Sequence, residues 1–427
     1  MPGKDRPPIE EIADFIGDEV TPARFPQHVV RFRNDRAAKR IGLDGLDDSD
    51  WVSHFGRFEP LAENLGAPLA LRYHGHQFRV YNPDIGDGRG FLFAQCRATD
   101  GRILDLGTKG SGPTPYSRSG DGRLTLKGGV REVLATEILA ALGVETSETF
   151  SLIETGEELW RGDEPSPTRS AVMVRMSHSH IRYGTFQRLA YFEQTEAIER
   201  LLAYLHKHYS LGGGETDPAE RALSFLNDMV ARAAKLAAGF VVAGFVHGVL
   251  NTDNINVTGE SFDYGPYRFL PTYDPKFTAA YFDHQGLYAY GRQREALHWN
   301  CYQLAACFLK FAETADLERI LDTFPTHFDT ALKHGFCRRL GVTQKGDQAD
   351  GALFASAERF LSVSACDYQT FFHSVLTLGV DDMPPLSINV TNEIQAAWNE
   401  FSGIYRSYER SLETGGVSPT NQNLLYD

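Results

Sequence analysis

Asp253, Asn254 and Asp263 fall within eleven positions of one another, in the stretch HGVLNTDNINVTGESFDYGP from His247 to Pro266. Carboxylate and amide oxygens are hard ligands. Mg²⁺ takes one or two such groups from a protein and completes its shell with substrate phosphates and water. Asn and Asp also favour turns, because they hydrogen-bond their own backbone, and an isolated Asp-Asn pair would be read that way. Here the pair follows a histidine and precedes an Asp-Tyr-Gly turn, so metal and phosphate chemistry is the better reading. The flanking pattern predicts a short loop, a strand, a turn at Gly259 and a second strand ending at Asp263-Tyr264-Gly265.

The spacing can be compared with that of a protein kinase, which places its metal and base on an H-R-D-x-x-x-x-N loop followed by a D-F-G turn. His247 and Asn254 stand at the kinase distance, and Asp263-Tyr264-Gly265 takes the place of the turn. Val249 occupies the position of the catalytic Asp. The phosphate-handling parts are present, and the usual base for phosphorylating a hydroxyl is not.

Further upstream, Lys109 ends an apolar run and Glu132 lies 23 residues on, in a helical pattern. They are candidates for the Lys–Glu ion pair that positions phosphates in kinases. Gly86-Asp87-Gly88-Arg89 can bring backbone N–H groups and a guanidinium to a phosphate, although alone it would be an ordinary hairpin turn. Lys109-Gly110 with Arg118 and Arg123 forms a second basic loop. Arg175, near the end of an apolar strand, and Arg182, in HSHIRYGTF, are candidates for bidentate phosphate contacts. The pairs His74/His76 and His178/His180 would put two rings on one face of a strand, but no third ligand has a recognisable spacing, so no zinc site is expected.

The elements that must carry these residues follow from periodicity. FLFAQC and ILDLGTKG read as strands, the second ending near Lys109. Residues 110–129 form a long Gly/Ser/Pro loop of the kind that is functional or disordered. Apolar residues at helical spacing predict a helix over Val130–Leu142, stopped by Gly143. Strands are expected around Ser151–Glu154, Glu158–Arg161 and Ala171–Met176. Helices are expected over Gln187–His208, Pro218–Ala243, His298–Ala312, Leu317–Leu332, Phe354–Ser362 and Asn392–Leu412, with a loose tail from Glu413. Residues 1–70 read as irregular, with helix near Asp35–Ile41. The class is α+β, a two-lobed protein-kinase-like fold. Residues 1–70 form an extension packing on the lobes. Residues 71–185 form a strand-rich N-lobe with one long helix and the nucleotide-binding loops. Residues 186–427 form a mainly helical C-lobe with the metal and catalytic loop at 247–266.

The net charge of −14 argues against a nucleic-acid partner. No apolar run is long enough to span a membrane, so no membrane partner is expected. The opening MPGKDRPPIEEIADF is neither a signal core nor a transit helix. The five cysteines are scattered, without a C-x-x-C, which suits the cytoplasm. Nothing in the sequence sets an oligomeric state.

Several blocks, in order, resemble the selenoprotein O (SelO, YdiU) family of kinase-like protein adenylyltransferases. Gly75-His76-Gln77-Phe78 is similar to its GHQF, and Gly86-Asp87-Gly88-Arg89 to its GDGR. Leu106–Gly112 with Thr114-Pro115-Tyr116-Ser117-Arg118 is similar to LKGAG-x-TPYSR, and Arg131-Glu132 opens its REF-type helix. Ile181–Phe186 resembles IRFGSFE, His247–Pro266 resembles HGVMNTDN…DYGPFGF, and Trp299-Asn300 resembles WNL. Together they cover roughly residues 25–310. The resemblance implies that ATP binds reversed relative to kinases, that AMP passes to Ser, Thr or Tyr hydroxyls of proteins, and that pyrophosphate leaves. It implies Asp253 as proton acceptor, and Asn254 and Asp263 as ligands of Mg²⁺, or of Mn²⁺ in its place. Lys109, ordered by Glu132, would contact the nucleotide, and Gly86, Gly88, Arg89, Asp121, Gly122, Arg175, Arg182 and Asp263 would complete the ATP site. The chain departs from the family pattern at Arg79–Pro83 and Lys127–Val130. Its C-terminal region is shorter than usual and has no cysteine after Cys366, so the redox role of a C-terminal cysteine or selenocysteine does not carry over. A conventional kinase and an inactive pseudokinase scaffold are the alternatives.

Overall fold

The apolar runs Leu92–Arg97 and Ile103–Lys109 lie side by side at the centre of a sheet in the computed structural model, which describes residues 6–411 except 63, 163, 215 and 216. The strands are β1 (Gly17–Glu19), β2 (Val29–Arg33), β3 (Leu69–Leu71), β4 (Gly75–Gln77), β5 (Val80–Asn82), β6 (Leu92–Arg97), β7 (Ile103–Lys109), β8 (Leu124–Thr125), β9 (Glu148–Leu159) and β10 (Thr168–Ser177). An eight-stranded antiparallel sheet runs β1-β3-β6-β7-β10-β9-β2, with β8 on β10, and β4–β5 is a separate hairpin. Every residue of β7 is buried, as expected of a central strand covered on both faces.

Residues 1–70, expected to be irregular, supply both margins of this sheet as well as the helices α1 (Ala13–Ile16), α2 (Asp35–Arg40) and α3 (Asp48–Phe55). On one side, α3 packs Trp51 and Phe55 against Phe150 and Phe93. On the other, α4 (Leu126–Ala141) lies over β9 and β10. It starts four residues earlier than its periodicity predicts, because the Thr125 hydroxyl caps it by accepting from the Gly128 N–H. Gly129 lets the helix approach the sheet, since a Cβ there would stand 2.4 Å from Leu152 Cδ1.

The C-lobe is organised on α7 (Pro218–Ala243), preceded by α5 (Tyr183–Tyr191) and α6 (Thr195–Tyr209). Asp217 caps α7 by accepting from the Ala219 N–H, Pro218 takes the first turn, and Gly244 ends it in the left-handed region, φ 66°. The helix expected over Gln187–His208 is two helices, because Glu193 turns left-handed, φ 55°. After α7 comes the ribbon β11 (Phe245–His247) with β12 (Tyr267–Phe269), which brackets the catalytic stretch. Two strands were expected inside that stretch; it holds single bridges, Ile255 with Ser261, Asn256 with Arg182 and Ser261 with Thr146, and a 3₁₀ turn at Thr252–Asn254.

Beyond it are α8 (Gln293–Ala305), α9 (Thr314–Leu321), α10 (Phe324–Leu340), α11 (Asp347–Ser364), α12 (Tyr368–Leu378) and α13 (Asn392–Tyr405). The helix expected over Leu317–Leu332 is broken before Pro325, which restricts the residue ahead of it and has no N–H to give. The segment α12 had no counterpart in the sequence reading. Leu412 and the tail from Glu413 lie outside the described residues. None of the described helices is long and apolar enough to cross a membrane. The result is an α+β chain with a strand-rich lobe carrying one long helix and a helical lobe behind it, the layout of a protein kinase.

Candidate active site

Between the lobes lies a cavity of about 710 Å³, within the range of a nucleotide-sized ligand. The end of β7 brings Lys109 into it, β10 brings Arg175, and the residue capping α5 is Arg182. The loop before β6 contributes Gly86, Gly88 and Arg89, the loop after β7 contributes Asp121 and Gly122, and the C-lobe contributes Asp253, Asn254 and Asp263. Glu132, on α4, sits behind Lys109 rather than in the wall. The residues assigned to the nucleotide and metal site therefore converge, from segments as far apart as Gly86 and Asp263, whereas His74, His76, His178 and His180 lie outside the cavity wall.

The two glycine loops close on each other. A Cβ on Gly86 would stand 2.5 Å from the Tyr116 ring, and Gly122 at φ 67° leaves 2.2 Å to the Gly112 carbonyl carbon. Only glycine permits either approach.

Asp263 is the electrostatic centre. Its Oδ1 accepts from Lys109 Nζ (2.9 Å) and from an Arg175 N–H (2.6 Å), and its Oδ2 accepts from an Arg182 N–H (2.9 Å). Burial alone would raise its carboxyl, but Arg175, Lys109 and Arg182 together hold it well below the usual carboxylate range. Its backbone is left-handed, φ 64°. Lys109 also pairs with Glu132, and both are almost completely buried. Arg182 binds Asp87 (3.1 Å) and the Asp253 carbonyl (2.9 Å) as well. It thereby ties the glycine loop, the catalytic loop and the Asp-Tyr-Gly turn to one guanidinium. Lys109, Arg175 and Arg182 are thus matched by Asp263, Glu132 and Asp87. Among the described residues no ion pair engages Arg89 or Arg118, which line the same cavity.

Asp253 is buried at the cavity floor, and its Oδ1 has no hydrogen-bond partner. Burial pushes its carboxyl up to about 6, against the pull of Arg182. Asn254 donates its amide N–H to the Val249 carbonyl (2.9 Å), which leaves the amide oxygen as its acceptor. His247, held near 4 by burial, is neutral; its Nδ1 accepts from the Val249 N–H (3.2 Å) and its Nε2–H donates to the Phe262 carbonyl (3.2 Å). It clamps the start of the catalytic loop to the residue before Asp263. Among the described residues, no three His, Cys, Asp or Glu side chains form a closed metal cage. Asn254 through its amide oxygen and Asp263 through its carboxylate offer hard oxygens of the kind Mg²⁺ accepts when phosphates supply the rest.

The cavity also takes Tyr73, Gln77, Tyr116, Arg161 and Asn251 into its lining, none of which had been assigned a role. Arg161 pairs with Asp121 (2.8 Å) at the rim. No local sequence signal marks Arg161, whose partner lies 40 residues away across a sheet.

Residues 4–423 match the family described as protein adenylyltransferase SelO. A protein nucleotidyltransferase YdiU of Trichormus variabilis is 45% identical, over 98% of this chain and 87% of that protein. A YdiU protein of Gloeobacter violaceus is 48% identical, over 86% and 76%. Among solved structures the chain is similar to ROP2 from Toxoplasma gondii, described as a virulence factor with a protein-kinase fold and no enzymatic activity. That likeness has 12% identity and a TM-score of 0.27, over 76% of this chain and 80% of that one. It adds nothing to the architecture already described.

Proposed function

Because the chain belongs to the SelO family of protein adenylyltransferases, and is a nucleotidyltransferase, we propose that it transfers AMP from ATP to Ser, Thr or Tyr hydroxyls of other proteins in the cytoplasm. The observation that carries this reading is the buried, unpartnered Asp253 Oδ1 in a cation-lined cavity, with Val249 where a kinase would hold its base. Asp253 takes the proton of the acceptor hydroxyl as that oxygen attacks the α-phosphorus. The bond from the α-phosphorus to the bridging oxygen breaks, and pyrophosphate leaves with the electron pair. Leaving-group charge builds next to Arg89, Lys109, Arg175 and Arg182. Fixed charges of this kind act most strongly where charge develops in the transition state. Gly86, Gly88, Asp121 and Gly122 shape the nucleotide wall. Mg²⁺, or Mn²⁺, held by Asn254 and Asp263, would neutralise phosphate charge. The nucleotide-binding loops lie within 71–185 and the catalytic loop lies beyond 186, so the two lobes divide the work, with residues 17–33 completing the sheet of the first.

The test is incubation of the purified protein with Mg²⁺ and ATP labelled at the α- or the γ-phosphate. Label retained on protein from the α-position alone is the expected result. Retention from the γ-position alone would make the protein a kinase with a displaced base.

Two substitutions probe the phosphate side. Lys109→Ala should lower transfer roughly 100-fold or more, as the loss of one charge donor at a transition state does. Glu132→Ala, which acts only through Lys109, should cost roughly 10-fold or more. Full activity in either variant would remove the ion pair from the mechanism.

A further inference from the structure

The hairpin β4–β5 belongs to neither the large sheet nor the helical lobe, and it is bonded to the catalytic loop. Phe78 donates its backbone N–H to Asn251 Oδ1 (3.0 Å), and His76 donates its own to the Thr252 hydroxyl (2.7 Å). Tyr81, on β5, meets α5 instead. Its ring stacks on that of Tyr191, with centroids 5.5 Å apart and planes 25° from parallel. Both rings line a second cavity, of about 260 Å³, which has room for one large side chain and shares no lining residue with the nucleotide cavity. Ala306 and Cys307, just past α8, add to its apolar lining.

Large rings stand in water beside this cavity. Tyr191 is 55% and Phe192 50% exposed, and the two meet edge to face at 5.1 Å. Contiguous exposed aromatics of this kind mark interaction surfaces, whereas single ones do not. Arg188, one turn back on α5, holds its guanidinium over the Phe192 ring, 5.0 Å from the centroid. It lies close enough to Tyr81 for its charge to bear on that hydroxyl. Arg188 is partly buried, and among the described residues no carboxylate forms an ion pair with it. Asp18, whose charge reaches it, is already taken by Arg72 (2.9 Å) and by the Tyr116 hydroxyl. Glu193, next to Phe192, pairs with Lys310 (3.5 Å). A cation drawn out of water without an anion is a cost that an incoming carboxylate would offset.

We propose that this cavity docks an acidic segment of a protein partner: a large apolar side chain of the segment enters against Tyr81 and Tyr191, and a neighbouring carboxylate pairs with Arg188. An apolar anchor in a pocket supplies affinity, and the charge pair beside it supplies specificity. The site is joined to the catalytic loop. Gln187, which lines the cavity, accepts from the Thr252 hydroxyl (2.6 Å) and donates to His76 Nδ1 (2.7 Å). Thr252 immediately precedes Asp253, so a protein docked here is held beside that loop. Docking does not depend on which group of the nucleotide is transferred.

The test is selection of a random peptide library on the purified full chain. Enriched peptides should carry Asp or Glu within a few positions of Leu, Met, Phe or Trp. Arg188→Glu, and Ala306→Trp, which fills the cavity, should each weaken the leading peptide roughly 10-fold or more. Both variants should keep the wild-type Tm, which shows that the fold is intact. On Arg188→Glu, the same peptide with its acidic residue changed to Lys should bind better than the original, a rescue that a damaged fold would not give. A library that yields no peptide sensitive to both variants would overturn the proposal. So would enriched peptides without an acidic residue, or a charge swap that restores nothing. Self-association of the wild type that is lost in Ala306→Trp, read by light scattering, would give the face to a second copy of this chain instead. Each of these results holds whichever phosphate label the protein transfers, so failure here and failure of the AMP-transfer reading are told apart.

Discussion

Asp263→Ala is expected to lose Mg²⁺-dependent ATP binding and to destabilise the fold together. Three buried cations, Lys109, Arg175 and Arg182, converge on this one carboxylate at 2.6–2.9 Å. Without it Lys109 keeps Glu132 and Arg182 keeps Asp87, while Arg175 has no other ion pair among the described residues. Removing one partner of a buried pair costs about 3–5 kcal/mol, against a total stability of roughly 5–15 kcal/mol. A denaturant midpoint well below wild type is therefore expected. Part of the loss comes from the backbone: alanine dislikes φ 64°, so Asp263→Gly should be more stable than Asp263→Ala by about 1 kcal/mol. The pH dependence follows from the depressed carboxyl. Its contribution is complete above the ordinary Asp value of about 3.9 and is lost as pH falls through the lower folded-state value. ATP binding with Mg²⁺ as tight as in wild type would show that Asp263 is not a metal ligand.

Asp253→Asn should separate chemistry from binding. The substitution keeps the side-chain shape and leaves Lys109, Arg175, Arg182 and Arg89 in place, so ATP affinity should change by no more than about three-fold. Transfer of the α-label should fall by roughly 10²- to 10⁴-fold, the usual worth of a positioned general base. A variant that transfers AMP at the wild-type rate would remove Asp253 from the reaction. One that loses ATP affinity in proportion would make it a nucleotide or metal ligand instead.

The parts of the molecule that could be read from the sequence are those whose signals are local. The long helix α7 runs from Pro218 to Ala243 as expected, because Asp217, Pro218 and Gly244 are start and stop residues within its own segment. Lys109 stands where its apolar run ends, and Glu132 faces it from a helix whose period is plain. The hairpin β4–β5 was hidden for the opposite reason. Its turn residues are Phe78 and Arg79, at φ 50° and 64°, where Asn-Gly or Asp-Gly would have announced a turn. They hold this conformation because the hairpin is bonded to a loop more than 170 residues away, and no window of sequence contains both. The break at Glu193 is likewise a left-handed position without a glycine to mark it. The strands expected around Gly259 do not form a ladder with each other because the backbone there bonds outward, Ile255 and Val257 to Tyr183 and Ile181, and Ser261 to Glu145 and Ser147.

The margins of the large sheet bear on the order in which the chain assembles. Both come from residues 17–33, yet β1 pairs with residues 69–71 and β2 with residues 151–154. During synthesis this segment emerges ahead of every strand it flanks. Its pairing waits on the closure of loops tens to more than a hundred residues long, an entropic cost met before any contact offsets it. β1 waits for residue 71 and β2 for residue 154, so β2 is seated late although it is made early. A nascent chain stalled before Glu148 carries Val29–Arg33 without a ladder partner, an open edge to which other chains can add.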